Sequence, residues 1–571
     1  MTNRYTGAEL FVDALEAYGV EYVFGNPGTT ELPVIDALDG SGLEYVMAPH
    51  EDIAVGMAAG YASTRRYHAD ADGVAGSNVT ACNPVGVVNL HLTPGLAHGL
   101  GNLYGAKMAG APLVVTAGNH STDFRHEEPI LSGDPVAAAE PFTKWSAEVL
   151  DVETLPAMLR RAFRVALTPP TGPVFLSLPL DVTMAETDAE PERLGSIPTA
   201  GRGDAAELER AADALVEADS PAMVVGDGVA RAGAGAVEAA VDLAEAAGLR
   251  VHGEILSSEV SFPADHDLWV SHVPPDEELA SMLMATDTLV FVGCSTHTTV
   301  VRHEGELFPP DATYVHVSDD AWELGKNQPA DAAVLGDPGE ALADLAARVE
   351  ARLDEDVRNE RFERVRATKV ALADTLEQVG EGDPTEGETR ASKARLVEEL
   401  NAVAPDAYVV DEGVTSKYAL LTHWPFDAYG LISNKGGGLG YSLPAAVGAA
   451  IAEGDREEPR NVIGFIGDGS YLYYPHTLYS AARHDVDLTV VISDNRNYRI
   501  LKENAAKLKG GDADDYDLTG LDFEPPVNLV ANATSHGADA ELVETPDEIG
   551  PALERALESS GPTVLDVLVH D

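Results

Sequence analysis

Short, wholly apolar runs bounded by glycine, proline or acidic residues recur along the chain. Between them, apolar positions return every three or four residues. The first pattern predicts buried strands of parallel sheets and the second predicts helices laid on those sheets. The clearest unit lies late in the chain. Residues 462–466 read as a buried strand, Leu478, Ala481 and Ala482 recur at helical spacing, and residues 488–493 read as a second, β-branched strand. Strand, helix, strand is a right-handed crossover, so both strands end at one edge of the same sheet.

The same alternation opens the chain. A helix through Ala8, Leu10, Phe11, Val12 and Leu15 ends at Gly19, strands follow at 22–24 and 45–47, and a helix holds 54–62. Strands at 113–116 and 174–178 complete that unit. A middle unit has strands at 222–225, 288–292 and 314–317, and a last unit starts with a strand at 408–410. The expected fold is α/β, with three doubly wound parallel-sheet domains at 1–187, 204–350 and 393–571. The acidic, proline-bearing stretch 188–203 reads as a linker, the charge-dense stretch 354–393 as an exposed helical connector, and 67–84 as a polar surface insertion.

A chain of 571 residues is too long for one core, which agrees with three units. With 45% hydrophobic residues and no apolar run near 18 residues, no membrane span is expected. The N-terminus has no signal-peptide pattern, and the two cysteines, Cys82 and Cys294, have no partner motif; a reducing cytoplasm is expected. A net charge of −58 on so apolar a chain implies a solvated acidic surface that repels nucleic acid and anionic membranes. Such a surface suits a salt-rich cytoplasm, where the screening length shrinks to about 3 Å near 1 M.

Candidate chemistry gathers where strands stop. Gly467-Asp468-Gly469-Ser470 closes one strand, and Asn495, 27 positions after Asp468, closes the next. An Asp carboxylate, an Asn amide oxygen and the backbone carbonyl of Asn497 make a hard oxygen set for Mg²⁺ or Ca²⁺. A hard ion at a glycine turn ordinarily holds phosphate, with Gly467 and Gly469 admitting it and Ser470 offering N–H and hydroxyl. Thr415, at the end of the strand at 408–410, is placed to reach the same phosphate. In the middle unit Gly226-Asp227-Gly228 lacks a second oxygen ligand at the required distance and reads as a structural turn.

The spacing of Asp468 and Asn495 resembles the thiamine diphosphate signature of the pyruvate decarboxylase and acetolactate synthase superfamily. FGNPGTTELP, the HED segment ending in GYA, NLHLTPGLAHGLGNLYGAKMAGAPLVVTAG and GGGLGYSLPAAVGAAIA resemble benzoylformate decarboxylases most closely. The resemblance implies that Glu51 bonds N1′ of the cofactor's aminopyrimidine, and that His50 beside it is structural. It further implies that Thr29 meets the substrate carboxylate and His91 relays protons. Leu439 would wedge the cofactor into a V, the Gly437 carbonyl would accept from its 4′-amino group, and Tyr498 would line its site. A second active-site histidine is His297 or His303. Leu131, Ile500 and Asn504 fall at the substrate pocket, with Ile500 narrowing it and Asn504 making it polar.

The first and third units look like duplicates, and the resemblance implies that they face each other across a homodimer or homotetramer. Three functions follow from the resemblance. The first is non-oxidative decarboxylation of a 2-oxo acid to an aldehyde. The second is an acetolactate synthase-like carboligase, with FAD as a further cofactor in that case only. The third is a cofactor-binding relative without activity.

Overall fold

The structure, a computed structural model, describes residues 5–73, 82–295, 299–382 and 387–571. It contains three six-stranded sheets in which every pairing is parallel. From edge to edge the first runs Glu44–Met47, Tyr22–Gly25, Gly86–Leu90, Leu113–Asn119, Val174–Pro179 and Trp145–Glu148. The third runs Leu431–Ser433, Tyr408–Glu412, Val462–Gly467, Leu488–Asp494, Pro562–Leu568 and Asp539–Val543. Numbered along the chain within each sheet, both have the order 2-1-3-4-6-5, which makes them topological duplicates. The central sheet runs Trp269–His272, Arg250–Gly253, Ala222–Val225, Thr288–Val292, Thr313–Ser318 and Ala332–Leu335, the order 3-2-1-4-5-6.

In each order the chain turns back past its first strand, and that reversal opens a crevice at the carboxyl ends of two neighbouring strands. In the first sheet that crevice lies after Tyr22–Gly25 and Gly86–Leu90. In the third it lies after Tyr408–Glu412 and Val462–Gly467. Thr29 and His91 follow the first pair, and Thr415 and Asp468 follow the second.

The two duplicate sheets are joined in one chain by helices Glu51–Ala71 and Ser442–Gly454, which are buried almost throughout. They close on each other because small residues line the contact. A side-chain carbon on Gly60 would fall 2.0 Å from the Ala445 carbonyl oxygen, and one on Gly448 would fall 1.8 Å from that of Met57. One hydrophobic cluster therefore runs from Phe24 and Val88 of the first sheet to Ile466 and Val490 of the third.

One expectation changes and a second is refined. Helix Glu51–Ala71 carries the chain through Tyr67, His68 and Ala69, all buried, so the stretch beginning at Tyr67 starts as core rather than surface. The Tyr67 hydroxyl donates to Glu259 Oε2 at 2.5 Å, and a helix side chain with such a partner has no reason to leave the core. Cys82 and Asn83 are also buried; residues 74–81 lie outside the described residues. The charge-dense connector is helical over Glu355–Glu377 and mostly exposed, as expected, but Arg361, Val365 and Leu372 on it are buried. Val365 and Leu372 join the central hydrophobic cluster, and Arg361, 1% exposed, donates to the carbonyls of Ala247 and Ala218. Among the described residues no helix is long and apolar enough to cross a membrane.

Candidate active site

In the first crevice the resemblance implies that Thr29 meets the substrate carboxylate and that His91 relays protons, which would bring the Thr29 hydroxyl and the His91 ring to one substrate. The structure brings Thr30 to that ring instead. The Thr30 hydroxyl lies 3.4 Å from His91 Nδ1 and donates to Glu31 Oε1 at 2.8 Å, while Thr29 is exposed on the turn Thr29–Glu31. Successive residues of a tight turn point in different directions, so a one-residue difference redirects the hydroxyl. Glu31, which sequence reasoning missed, is 1% exposed and accepts the Gly118 N–H at 2.9 Å through Oε1. Its Oε2 lies 2.7 Å from His91 Nδ1 and fixes the plane of the ring. That ring lies over Gly28, where a side-chain carbon would come within 2.1 Å of it. The signal available was a glutamate inside an apolar loop, FGNPGTTELP, where only a paired carboxylate could be buried.

Glu51 opens the helix Glu51–Ala71, capped by His50, whose Nδ1 accepts the Asp52 N–H at 3.1 Å. The Glu51 side chain is 12% exposed, and its Oε2 sits 3.2 Å from Nδ1 of His98, itself 59% exposed. His50, Glu51 and His98 bring one potential metal-ligating atom each within 4.8 Å of one another. Beside them Asp52 ties the crevice to the third sheet, accepting from the Asn102 N–H and the Tyr474 hydroxyl, both at 2.8 Å. Burial nonetheless raises the Asp52 carboxyl above its usual range.

In the second crevice the buried strand Val462–Gly467 delivers Asp468 to a single helical turn. Asp468 Oδ1 accepts the Gly469 N–H at 2.8 Å. Asp468 Oδ2, Ser470 Oγ and Asn497 Oδ1 are buried without a hydrogen-bond partner. Burial, then the neighbouring Asp494, push the Asp468 carboxyl up to about 8; burial and Asp494 likewise push Asp566 to about 7. Unpaired buried oxygens and crowded carboxylates are what a hard divalent cation relieves, so this site fits Mg²⁺ or Ca²⁺. Asn495 follows the next strand, Leu488–Asp494. Its amide donates to Asp571 Oδ1 at 2.7 Å, and its Oδ1 accepts the Asn497 N–H at 3.3 Å. Tyr498 packs over Gly469, where a side-chain carbon would meet the ring at 2.5 Å, so Gly469 admits this ring; around Gly467 the nearest atom is 3.6 Å away.

The loop after Leu431–Ser433 completes this end. Gly437 has φ +71° and nothing within 4 Å of where a side chain would stand. Glu412, buried, accepts the N–H groups of Gly440 and Ser442, both at 2.7 Å, and burial pushes its carboxyl up to about 7. Leu439 and Thr415 are half-buried. Three non-glycine residues with positive φ, Leu92, Val414 and Arg496, adjoin His91, Thr415 and Asn495. Backbone strain of this kind persists where the surroundings hold it and marks functional loops.

Ile500 and Asn504 share one face of helix Arg499–Lys509, both half-buried. Leu131, in a loop, is 40% exposed. His303 Nε2 lies 3.3 Å from the Pro275 carbonyl oxygen, and His297 lies outside the described residues. Gly226 and Gly228 pack on Cys294 and Gly293, as expected of a structural turn.

Comparison with known proteins agrees with this arrangement. Residues 5–138 match the N-terminal TPP binding domain of thiamine pyrophosphate enzymes, 208–345 the central domain and 415–567 the C-terminal TPP binding domain. The chain belongs to the thiamine pyrophosphate enzyme family. It is 30% identical over 565 residues to a benzoylformate decarboxylase of Pseudomonas aeruginosa, covering 97% of each chain. It is 28% identical over 580 residues to a probable acetolactate synthase large subunit of Methanocaldococcus jannaschii, covering 99% of this chain and 92% of that one. Among solved structures, a thiamine diphosphate-dependent 4-hydroxybenzoylformate decarboxylase of Rhodococcus jostii RHA1 superposes with TM-score 0.81 at 27% identity, over 99% of both chains. In this family thiamine diphosphate is the cofactor that the two duplicate units serve, and the decarboxylase and acetolactate synthase branches both stand among its relatives.

Proposed function

We propose that this chain is a thiamine diphosphate- and Mg²⁺-dependent decarboxylase that converts a 2-oxo acid to an aldehyde. The observation that carries the reading is the pairing of the half-buried His91 with the buried Glu31 at the first crevice, which fixes an imidazole for proton transfer. When bound, thiamine diphosphate supplies the carbanion that adds to the ketone and the electron sink that makes loss of carbon dioxide possible. Asp468, Asn495 and the Asn497 carbonyl would hold the metal, with Gly467, Gly469, Ser470, Thr415 and Tyr498 around the diphosphate. Gly437 and Leu439 would border the pyrimidine and its bend. Glu51 would keep a proton against the pyrimidine N1′. His91, held at Nδ1 by Glu31, delivers a proton from Nε2 to the carbon that has lost carboxylate. The two crevices serve one cofactor from opposite ends, from two protomers of a homodimer or tetramer.

Ile500 and Asn504 on one helix face favour a shorter aliphatic or polar 2-oxo acid over an aromatic one. A missing or extra methylene changes such a preference by only about 1–3 kcal/mol, so the panel must be broad. The 28% identity to an acetolactate synthase subunit supports a second reading, transfer to another 2-oxo acid, with FAD as an added cofactor in that case. A panel of aliphatic and aromatic 2-oxo acids, with thiamine diphosphate and Mg²⁺ in concentrated KCl, decides. Aldehyde is the expected product; acetolactate from pyruvate supports the second reading, and no turnover of any acid contradicts both. The acidic surface points to a salt-rich cytoplasm.

A further inference from the structure

The central sheet has its own reversal, between Ala222–Val225 and Thr288–Val292, where an open parallel sheet ordinarily takes a ligand. Here the floor of that crevice is closed by backbone. A side-chain carbon on Gly226 would fall 2.5 Å from Cys294 Cα, and one on Gly228 would fall 2.7 Å from Gly293 Cα. A side chain from the third unit reaches the crevice. Lys435, with its side chain 1% exposed, sets Nζ 2.8 Å from Asp227 Oδ2 and 2.7 Å from Glu254 Oε1. Both carboxylates are held in turn. Asp227 Oδ1 accepts the N–H groups of Ser258 and Glu259, and Oδ2 accepts the Ser258 hydroxyl. Glu254 accepts the N–H groups of Asp227 and Ser295. Burial works against charge here, yet opposite charges prevail: Asp227 is held well below the usual carboxylate range and Lys435 above the usual lysine value.

Such a buried ion group adds little net stability compared with an apolar filling, and its best-attested use is to fix one arrangement among several. What it fixes follows at once in the chain, Gly436-Gly437-Gly438-Leu439. Gly436 packs on Gly105, where a side-chain carbon would fall 2.9 Å from Cα, but Gly437 and Gly438 have nothing within 4 Å of their side-chain positions, so the tip of this loop has little packing of its own. Its ties include Asn434, whose amide bonds the Gly437 N–H and the Gly438 carbonyl, Glu412 on the Gly440 N–H, the Asn102 amide on the Gly440 carbonyl, and Lys435.

We propose that Lys435 is a positioning residue, and that the Asp227–Lys435–Glu254 group makes the central sheet the anchor that sets the Gly436–Leu439 loop against the cofactor. The loop's role toward the cofactor rests on the function proposed above; its anchoring does not. Because Lys435→Met alone strands two buried carboxylates, the test uses the neutral combination Asp227→Asn, Lys435→Met, Glu254→Gln in the full chain. Without cofactor, amide hydrogen exchange over residues 434–440 should quicken at least about tenfold in the variant, with exchange in the core strands unchanged. With thiamine diphosphate and Mg²⁺, kcat should fall at least about tenfold while KM for the 2-oxo acid holds. Unchanged exchange at 434–440, or a rise spread over the whole chain, overturns the proposal. A wild-type chain that binds no thiamine diphosphate overturns the function instead, and the exchange measurement still decides the anchoring.

Discussion

Glu31 and Glu412 are both buried carboxyl groups that a sequence pattern ranks as ordinary loop and strand-end residues, and their partners give them different work. Glu31 holds His91 from behind, 2.7 Å from Nδ1. Glu31→Gln keeps the shape and removes the charge that stabilises a protonated ring, so kcat should drop by about 10²-fold with KM within a few fold, measured by steady-state kinetics. Glu412 is bound to two backbone N–H groups yet raised from 4.5 to about 7 by burial. Between those values the folded state binds the proton that the unfolded state has released. Stability therefore falls as pH rises through that window, by about 3 kcal/mol for this group, and levels off above it. Urea unfolding from pH 5 to 8 should show that decline, and Glu412→Gln should lessen it; equal slopes in the two proteins would contradict the assignment. Asp468 was legible from a strand end and its glycine turn, whereas Glu51 and His91 stood out only through the family resemblance of the segments that carry them. Glu31 and Lys435 were not, because their significance lies in partners 60 and 208 positions away, His91 and Asp227, which only the fold brings together.

At the level of elements, the helix pair Glu51–Ala71 and Ser442–Gly454 welds the duplicate sheets together. Helix propensity alone predicts that Gly448→Ala would stabilise by about 1 kcal/mol. A methyl 1.8 Å from the Met57 carbonyl oxygen predicts the reverse, a loss of about 3 kcal/mol or more as the helices are pushed apart. Chemical unfolding gives the sign directly. Apolar runs at 22–24, 113–116, 222–225, 288–292 and 462–466 were legible as strands because burial on both faces makes them uniform. The edge strands Trp145–Glu148 and Asp539–Val543 were not, since edge strands carry polar residues that break the run. Helix Glu355–Glu377 was legible as an exposed helix, but its many charges hide the few positions, Val365 and Leu372, that hold it to the central hydrophobic cluster.

For the whole molecule, the charge of −58 must be held on one compact surface. Self-repulsion on that scale is screened as salt rises, so the unfolding midpoint should climb with KCl up to molar concentration; a midpoint indifferent to KCl would contradict the salt-rich setting. The shared strand order of the first and third sheets gives the molecule two crevices of one design, one holding Glu51, Glu31 and His91 and the other Asp468. The central claim is that one cofactor is served by the first crevice of one protomer and the second crevice of its partner. Co-expression of Glu51→Gln and Asp468→Ala chains, each inactive alone, tests it. If sites are shared between protomers, mixed dimers rebuild one intact site in two, and the mixture should recover about a quarter of wild-type decarboxylation. A mixture as inactive as its parents would contradict the account.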